Sequence, residues 1–300
     1  MIKDLPAPGY PGPGQPAAGG PATRQLRLTP ARRVILALGV PAILALIGVA
    51  AFGLVADVGT NSYPVNYALP VSDGRLTVNF GGGDLTLTGT ASSTARLTGT
   101  VDYSLVKPHI TVSDRPGQGA VFTSHCEIWT GNCGLNGTAD VPSATAATIS
   151  TGGGDLTASD LTGGVTLSSD GGNLTATSIA GNASLRTGGG DLSATQLTGD
   201  VDLGTSGGNI TATSISSARV TADSGGGDIA IVFTRVPRNV QVSANGGNVT
   251  IVVPAGPTAY DVTANPNGGN ISDALPQATS SSHVITVSSG GGDITIEQGT

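Results

Sequence analysis

Acids and amides recur at near-even intervals along this 300-residue chain. Asp155, Asn173, Asp191, Asn209, Asp228, Asn248, Asn270 and Asp293 each follow a glycine run, at spacings of 18, 18, 18, 19, 20, 22 and 23 residues. An earlier GGGD ends at Asp84. Oxygens in such a series could bind a cation, activate water, or hold a turn. Calcium-binding β-rolls use a nine-residue unit, G-G-x-G-x-D-x-U-x. The unit here is twice as long, lacks the G-x-D element and replaces every second acid by an amide, so no cofactor is expected and calcium is the alternative. Hydrolysis by paired carboxylates needs an acid, a base and a cationic groove. The best pair is Asp200 and Asp202, with Asp160 able to approach, but residues 151–234 offer only Arg186 and Arg219 beside it. His283 stands alone and there is no aromatic platform for sugar. A solvated acidic face is the expectation, with no catalytic residue.

Other chemistries fit less well. No G-x-S-x-G elbow is present. The glycine corners lack a following helix or lysine, which argues against a phosphate loop. Cys126 and Cys133, the two cysteines, lie in SHCEIWTGNC and are expected to close a small disulfide loop outside the cytoplasm. A metal site there would have only His125, His109 and Glu127 to draw on. Six N-x-S/T triplets occur, at Asn136, Asn173, Asn182, Asn209, Asn248 and Asn270; four of them arise from a turn Asn followed by a strand Thr or Ser, so that repeat chemistry produces them without need of glycans.

The residues between the corners define what must position them. One past each corner stand Leu156, Leu174, Leu192 and Ile210; three past, Ala158, Ala176, Ala194 and Ala212; six past, Leu161, Ile179, Leu197 and Ile215. Val165 and Leu167, Ala183 and Leu185, Val201 and Leu203 follow at ten and twelve. Hydroxyl residues fill the gaps. This alternation is a strand signal, and no helical spacing competes with it. A fixed short period marks a solenoid, so each unit is read as one coil of two or three strands, stacked ~4.8 Å from the next. Glycine would supply positive φ at the corner, and the Asp or Asn would hold it through local backbone hydrogen bonds. Two stacked carboxylates would repel by about 0.9 kcal/mol even in water. Placing Asn between them relieves this, an alternation that lapses in sequence at Asn248–Asn270.

Residues 34–55 are 22 uncharged residues, VILALGVPAILALIGVAAFGLV, enough to cross a bilayer. Arg32 and Arg33 precede them and Asp57 follows, which places the N-terminus in the cytoplasm and the rest outside. A cleaved signal peptide would have a shorter apolar run and a small-residue cleavage site. The expected organisation is a disordered Pro/Gly-rich cytoplasmic tail (1–33), a transmembrane helix (34–56), a linker (57–70), an irregular β cap or first coils (71–150), and a repetitive solenoid (151–300). The segment DALPQATSSSH, or a partner, is expected to cover the last edge. From Asp57 onward there are 8 Lys/Arg and 19 Asp/Glu. A body of net charge about −11 has no footprint for nucleic acid.

The repeated S/T-G-G-G-D-[LI]-T corners, the spacer L-T-G-[GD]-V-[TD]-L and the strand end NVTIVVPAG resemble the bacterial DUF4097 family, whose members are labelled adhesins on the basis of shape. The resemblance covers about residues 65–300. It implies an all-β, right-handed parallel β-helix or β-solenoid behind a single membrane span, in a bacterium, and carries over no catalytic residue; the high Gly/Ala/Thr content fits an actinobacterial source. The function implied is a non-catalytic adhesion or interaction module at the cell envelope, touching cell-wall glycan or a surface protein. The alternatives are envelope sensing through the cytoplasmic tail and a glycan-active β-helix enzyme.

Overall fold

The computed structural model describes residues 60–104, 106–117, 119–125 and 133–299. The expected tail (1–33), transmembrane helix (34–56) and Cys126 lie outside the described residues. Among the described residues, no helix is long and apolar enough to cross a membrane.

All regular structure among the described residues is β. The chain begins with β1 (Asn61–Leu69), β2 (Arg75–Phe80), β3 (Leu85–Thr90), β4 (Ala95–Tyr103), β5 (His109–Arg115), β6 (Gly119–His125) and β7 (Cys133–Pro142). The regular units are β8 (Ala146–Thr151) with β9 (Leu156–Leu161), β10 (Val165–Ser169) with β11 (Leu174–Ile179), and β12 (Ala183–Thr187) with β13 (Leu192–Leu197). Next come β14 (Val201–Thr205) with β15 (Ile210–Ile215), β16 (Arg219–Ser224) with β17 (Ile229–Phe233), and β18 (Asn239–Ala244) with β19 (Val249–Val253). The chain closes with β20 (Asp261–Pro266), β21 (Ile271–Asp273), β22 (Val284–Ser289) and β23 (Ile294–Gln298).

Each unit contributes two strands, one to each of two sheets. Sheet A runs β1-β4-β7-β3-β9-β11-β13-β15-β17-β19-β23-β21 and sheet B runs β20-β22-β18-β16-β14-β12-β10-β8-β2-β6-β5. Pairing between units is parallel, and Leu156, Leu174 and Leu192 lie in register in sheet A. The solenoid expectation therefore holds, with two strands per layer. Leu156, Leu174, Leu192, Ile210, Ile229, Val249 and Ile294 are all at most 1% exposed. Burying each such side chain stabilises the stack by about 1.5–3 kcal/mol, and no single layer could bury its own set.

Three features differ from the sequence reading. Residues 61–69, expected as linker, form β1, an antiparallel edge strand on β4. Most of the expected irregular cap is regular: β2 and β3 make a full layer in register with β8 and β9. Layer order departs from sequence order at both ends. The β6–β7 layer sits outside β2–β3, and the β20–β21 layer sits outside β22–β23. The end of the chain is thus inserted between β18–β19 and β20–β21, and the last edge belongs to β20 and β21, not to β23. Pro266 at the end of β20 suits that edge, since proline cannot donate to a further strand.

The glycines also act differently from expectation. Among the corner glycines, only Gly83 and Gly154 take positive φ. Close approach instead requires the glycine directly before each corner Asp or Asn from Asp84 onward. A Cβ on Gly190 would lie 2.1 Å from the carbonyl oxygen of Gly172 in the layer before, and one on Gly208 2.1 Å from that of Gly190. Positive φ falls instead on Asp160, Ser178, Gln196 and Ser214, the fifth residue of four successive sheet-A strands.

Gly190→Ala is expected to cost about 3 kcal/mol through backbone displacement. Gly189→Ala in the same corner, whose Cβ would meet nothing nearer than 3.8 Å, should cost under about 1 kcal/mol. Urea midpoints of the two variants measure the contrast.

Candidate functional site

The Asp/Asn series forms one continuous ladder along a corner of the solenoid. In layer order it runs Asn136, Asp84, Asp155, Asn173, Asp191, Asn209, Asp228, Asn248, Asp293, Asn270. Each backbone N–H donates to the side-chain Oδ1 of the residue one layer before. The hydrogen bonds therefore bind layer to layer, where a local bond within the turn was expected. Carboxylate acceptors sit at 2.7 Å for Asp155, Asp191, Asp228 and Asp293 and 2.8 Å for Asp84. The amide acceptors Asn136, Asn173, Asn209 and Asn248 sit at 2.9 Å. The shorter distances fit charge-assisted bonds.

This geometry explains why Asp and Asn interchange: both present Oδ1, and only one carries charge. The layer swap also removes the apparent lapse at Asn248–Asn270, because Asp293 stacks between them. In this ladder two carboxylates are neighbours only at Asp84 and Asp155. Asn136, which the sequence gave no reason to include, completes the ladder and also donates from Nδ2 to Asp102 Oδ2 at 2.9 Å.

A second, buried ladder runs beside it. Ser169, Thr187, Thr205, Ser224 and Ser289, at most 7% exposed, each stand three residues before the last glycine of their corner. Each hydroxyl donates to a glycine carbonyl in the layer before, as Thr205 does to Gly190 at 2.9 Å. Each also accepts from a glycine N–H of its own corner, as Thr205 does from Gly208 at 3.0 Å. Ala244 interrupts the row. The signal is a Ser or Thr three residues before the last glycine of the corner, a column not singled out from the sequence alone.

Cys133 opens β7 and is disulfide-bonded. Among the described residues, no group of three or more His, Cys, Asp or Glu side chains is placed to hold a metal. His283 Nδ1 lies 2.7 Å from the Pro237 carbonyl oxygen and its ring packs edge-on to Tyr260.

The pair best suited to acid–base work is committed elsewhere. Asp200 Oδ2 accepts from Arg219 Nη1 at 2.9 Å, and Asp202 Oδ2 from Arg186 Nη2 at 2.5 Å. Arg186 lies across Gly204, where a Cβ would meet its Nη1 at 2.9 Å. Asp202 Oδ1 is buried and accepts no hydrogen bond. On the next strand, burial pushes the Asp223 carboxyl above the usual carboxylate range; Asp202 adds to this and Arg186 opposes it. Asp200, Asp202 and Arg219 border an open groove of about 560 Å³ on the outer face of sheet B. Its walls include Arg75, Thr148, Thr166, Ser184, Asp200 and Arg219. The arrangement offers fixed hydroxyls and paired charges, suited to polar contacts. Both candidate catalytic carboxylates are held by arginine, and Asp160 lies on sheet A, away from them.

Asn173→Asp would join Asp84, Asp155 and Asp191 into a stack of four carboxylates and is expected to cost about 1–2 kcal/mol at low ionic strength, from two new repulsions of about 0.9 kcal/mol each. High salt should recover most of the loss. Asp191→Asn, which keeps the acceptor, should change stability by under about 0.5 kcal/mol, while Asp191→Ala should cost about 1 kcal/mol. Chemical denaturation at two salt concentrations separates these effects.

The raised Asp223 carboxyl has the opposite linkage from a salt-bridged acid. The folded state holds this proton more tightly than the unfolded chain, so stability is greatest below the ordinary carboxylate range. It falls as pH rises through the interval up to the raised value. Asp223→Asn is expected to stabilise by a few tenths of a kcal/mol at pH ~7, discounted for solvent screening, and to have little effect at pH ~3. Urea midpoints at the two pH values test the sign.

A family model described as Toastrack DUF4097 matches residues 138–297. No curated protein matches the chain significantly in sequence. Among solved structures, the chain is similar to a provisionally named adhesin from Bacteroides fragilis, at 17% identity and a TM-score of 0.46, over 80% of this chain and 98% of that one. It is similar to another from Parabacteroides distasonis, at 14% identity and a TM-score of 0.37, over 81% and 98%. A provisionally named cell adhesion protein from Clostridium sporogenes matches at 14% identity and a TM-score of 0.31, over 80% and 100%. With the family model spanning more than half of its 300 residues, the chain belongs to the Toastrack DUF4097 family.

Proposed function

We propose that this protein is a non-catalytic interaction module of the cell envelope, tethered by residues 34–56 with its solenoid outside the membrane and its N-terminus in the cytoplasm. The solenoid is proposed to coil right-handed, the hand favoured for parallel crossovers. The partner is an extended polar polymer such as cell-wall glycan, bound along sheet B. The reading is carried by the groove over Thr148, Thr166 and Ser184, bounded by Arg75 and the Asp200–Arg219 pair. Such a surface makes many polar contacts at fixed spacing, and its carboxylates are engaged with arginine rather than poised for proton transfer. The adhesion names attached to structural neighbours agree with this reading.

Full-length protein in vesicles should sediment with insoluble cell-wall polysaccharide. Arg75→Ala with Arg219→Ala is expected to weaken retention at least about tenfold, the loss of roughly 1.4 kcal/mol. Undiminished retention of the double variant would remove the groove from the proposal. Product release from the polysaccharide that Asp200→Asn abolishes would replace it by an enzymatic reading.

A further inference from the structure

We infer that the N-terminal end of the solenoid is itself a docking face for the lipid headgroup layer. This rests on the tether reading above and goes beyond it.

The argument begins with reach. The apolar run ends at residue 55 and β1 begins at Asn61. Some five or six residues of extended chain span at most about 20 Å. Whatever lies where the chain enters β1 is therefore held close to the membrane surface. Strand β1 is the outermost strand of sheet A, and β5 is the outermost of sheet B at the same end.

The residues at the entry point have the composition of a membrane interface. Asn61 pairs with Tyr103 and donates from Nδ2 to the Ser104 carbonyl at 3.3 Å. Tyr63 and Tyr103 meet edge to face, with ring centroids 5.9 Å apart. Lys107 Nζ lies 3.9 Å over the Tyr63 ring. Beside it Val106 is 50% exposed, one of four large apolar side chains that the described residues leave in solvent. Tyrosine and lysine with an apolar neighbour suit the headgroup layer, where rings and alkyl stems sit in the boundary and polar tips remain wet. Tyr63 also packs against the core at this end.

Charge points the same way. Residues 58–142, which build this end, carry four Lys/Arg and six Asp/Glu, whereas residues 143–300 carry four Lys/Arg against twelve Asp/Glu. An anionic leaflet therefore repels the acidic body more strongly than it repels this end. Docked on this face, the solenoid would stand away from the membrane with the sheet-B groove exposed to partners.

Lys107 is the only lysine after Lys3, which gives the test a single reporter. Full-length protein would be placed in vesicles of phosphatidylglycerol and phosphatidylethanolamine. The acylation rate of Lys107 would be compared by mass spectrometry with that of an amine introduced by Ser280→Lys, far along the chain. Lys107 is expected to react about tenfold more slowly, as for a face docked some nine-tenths of the time. That protection should survive insertion of a long Gly/Ser segment after Gly59, and should vanish in Val106→Asp. Equal protection in Val106→Asp would assign the slow rate to packing within the cap and overturn the inference. Loss of protection on inserting the segment would assign it to tether length and overturn it as well. Release of the protein from vesicles by alkaline wash would refute the tether reading, and the inference with it.

Discussion

The structure depends on one interlayer hydrogen bond, from a backbone N–H at each corner to the side-chain oxygen of the equivalent residue one layer before. Nine of these join ten corners, from Asn136 to Asn270. They fix the distance at which corners approach, and from Asp84 to Asn270 that distance leaves no room for a Cβ on the glycine before each Asp or Asn. Buried hydroxyls then bridge the same corners from the inside. The apolar columns supply most of the burial, while the corner ladders set their register. A one-residue slip would turn every apolar side chain outward and break each ladder bond.

Such a ladder is tolerant in one respect and strict in another. It accepts acid or amide, because either presents Oδ1, so the charge along this edge can vary without loss of acceptors. At the glycine corners from Asp84 onward it does not accept a side chain one position earlier. Function is therefore left to surfaces that the stacking does not constrain. The outward residues of sheet B are free to change from Thr166 to Ser184 to Asp202 in successive layers, and that freedom builds the groove with its Arg–Asp pairs.

Much of the fold was legible because stacking imposes the same choice on every layer. Leu156, Leu174 and Leu192 could be aligned by eye, and they do touch in register. The order of layers was not legible, since one corner resembles another chemically. Asp293 docks on Asn248 across 45 residues as well as a nearer corner could, and closing a longer loop adds only a logarithmic entropy cost. The role of glycine was misread because positive φ and close approach select the same residue. The ion pairs on Asp200 and Asp202 were hidden for a related reason: their arginines come from neighbouring layers, at separations of 19 and 16 residues. The pressed position of Asp223 depends on that same cross-layer cluster, and no local motif marks it.

The layer order and the ladder can be tested together by scalar coupling across hydrogen bonds in deuterated, isotope-labelled protein. The amide nitrogen of Asp293 should couple to the side-chain carbonyl carbon of Asn248, and that of Asn270 to the carboxyl carbon of Asp293. Coupling of the Asn270 amide directly to the Asn248 side chain would show layers stacked in sequence order, and would contradict the interlocked arrangement described above.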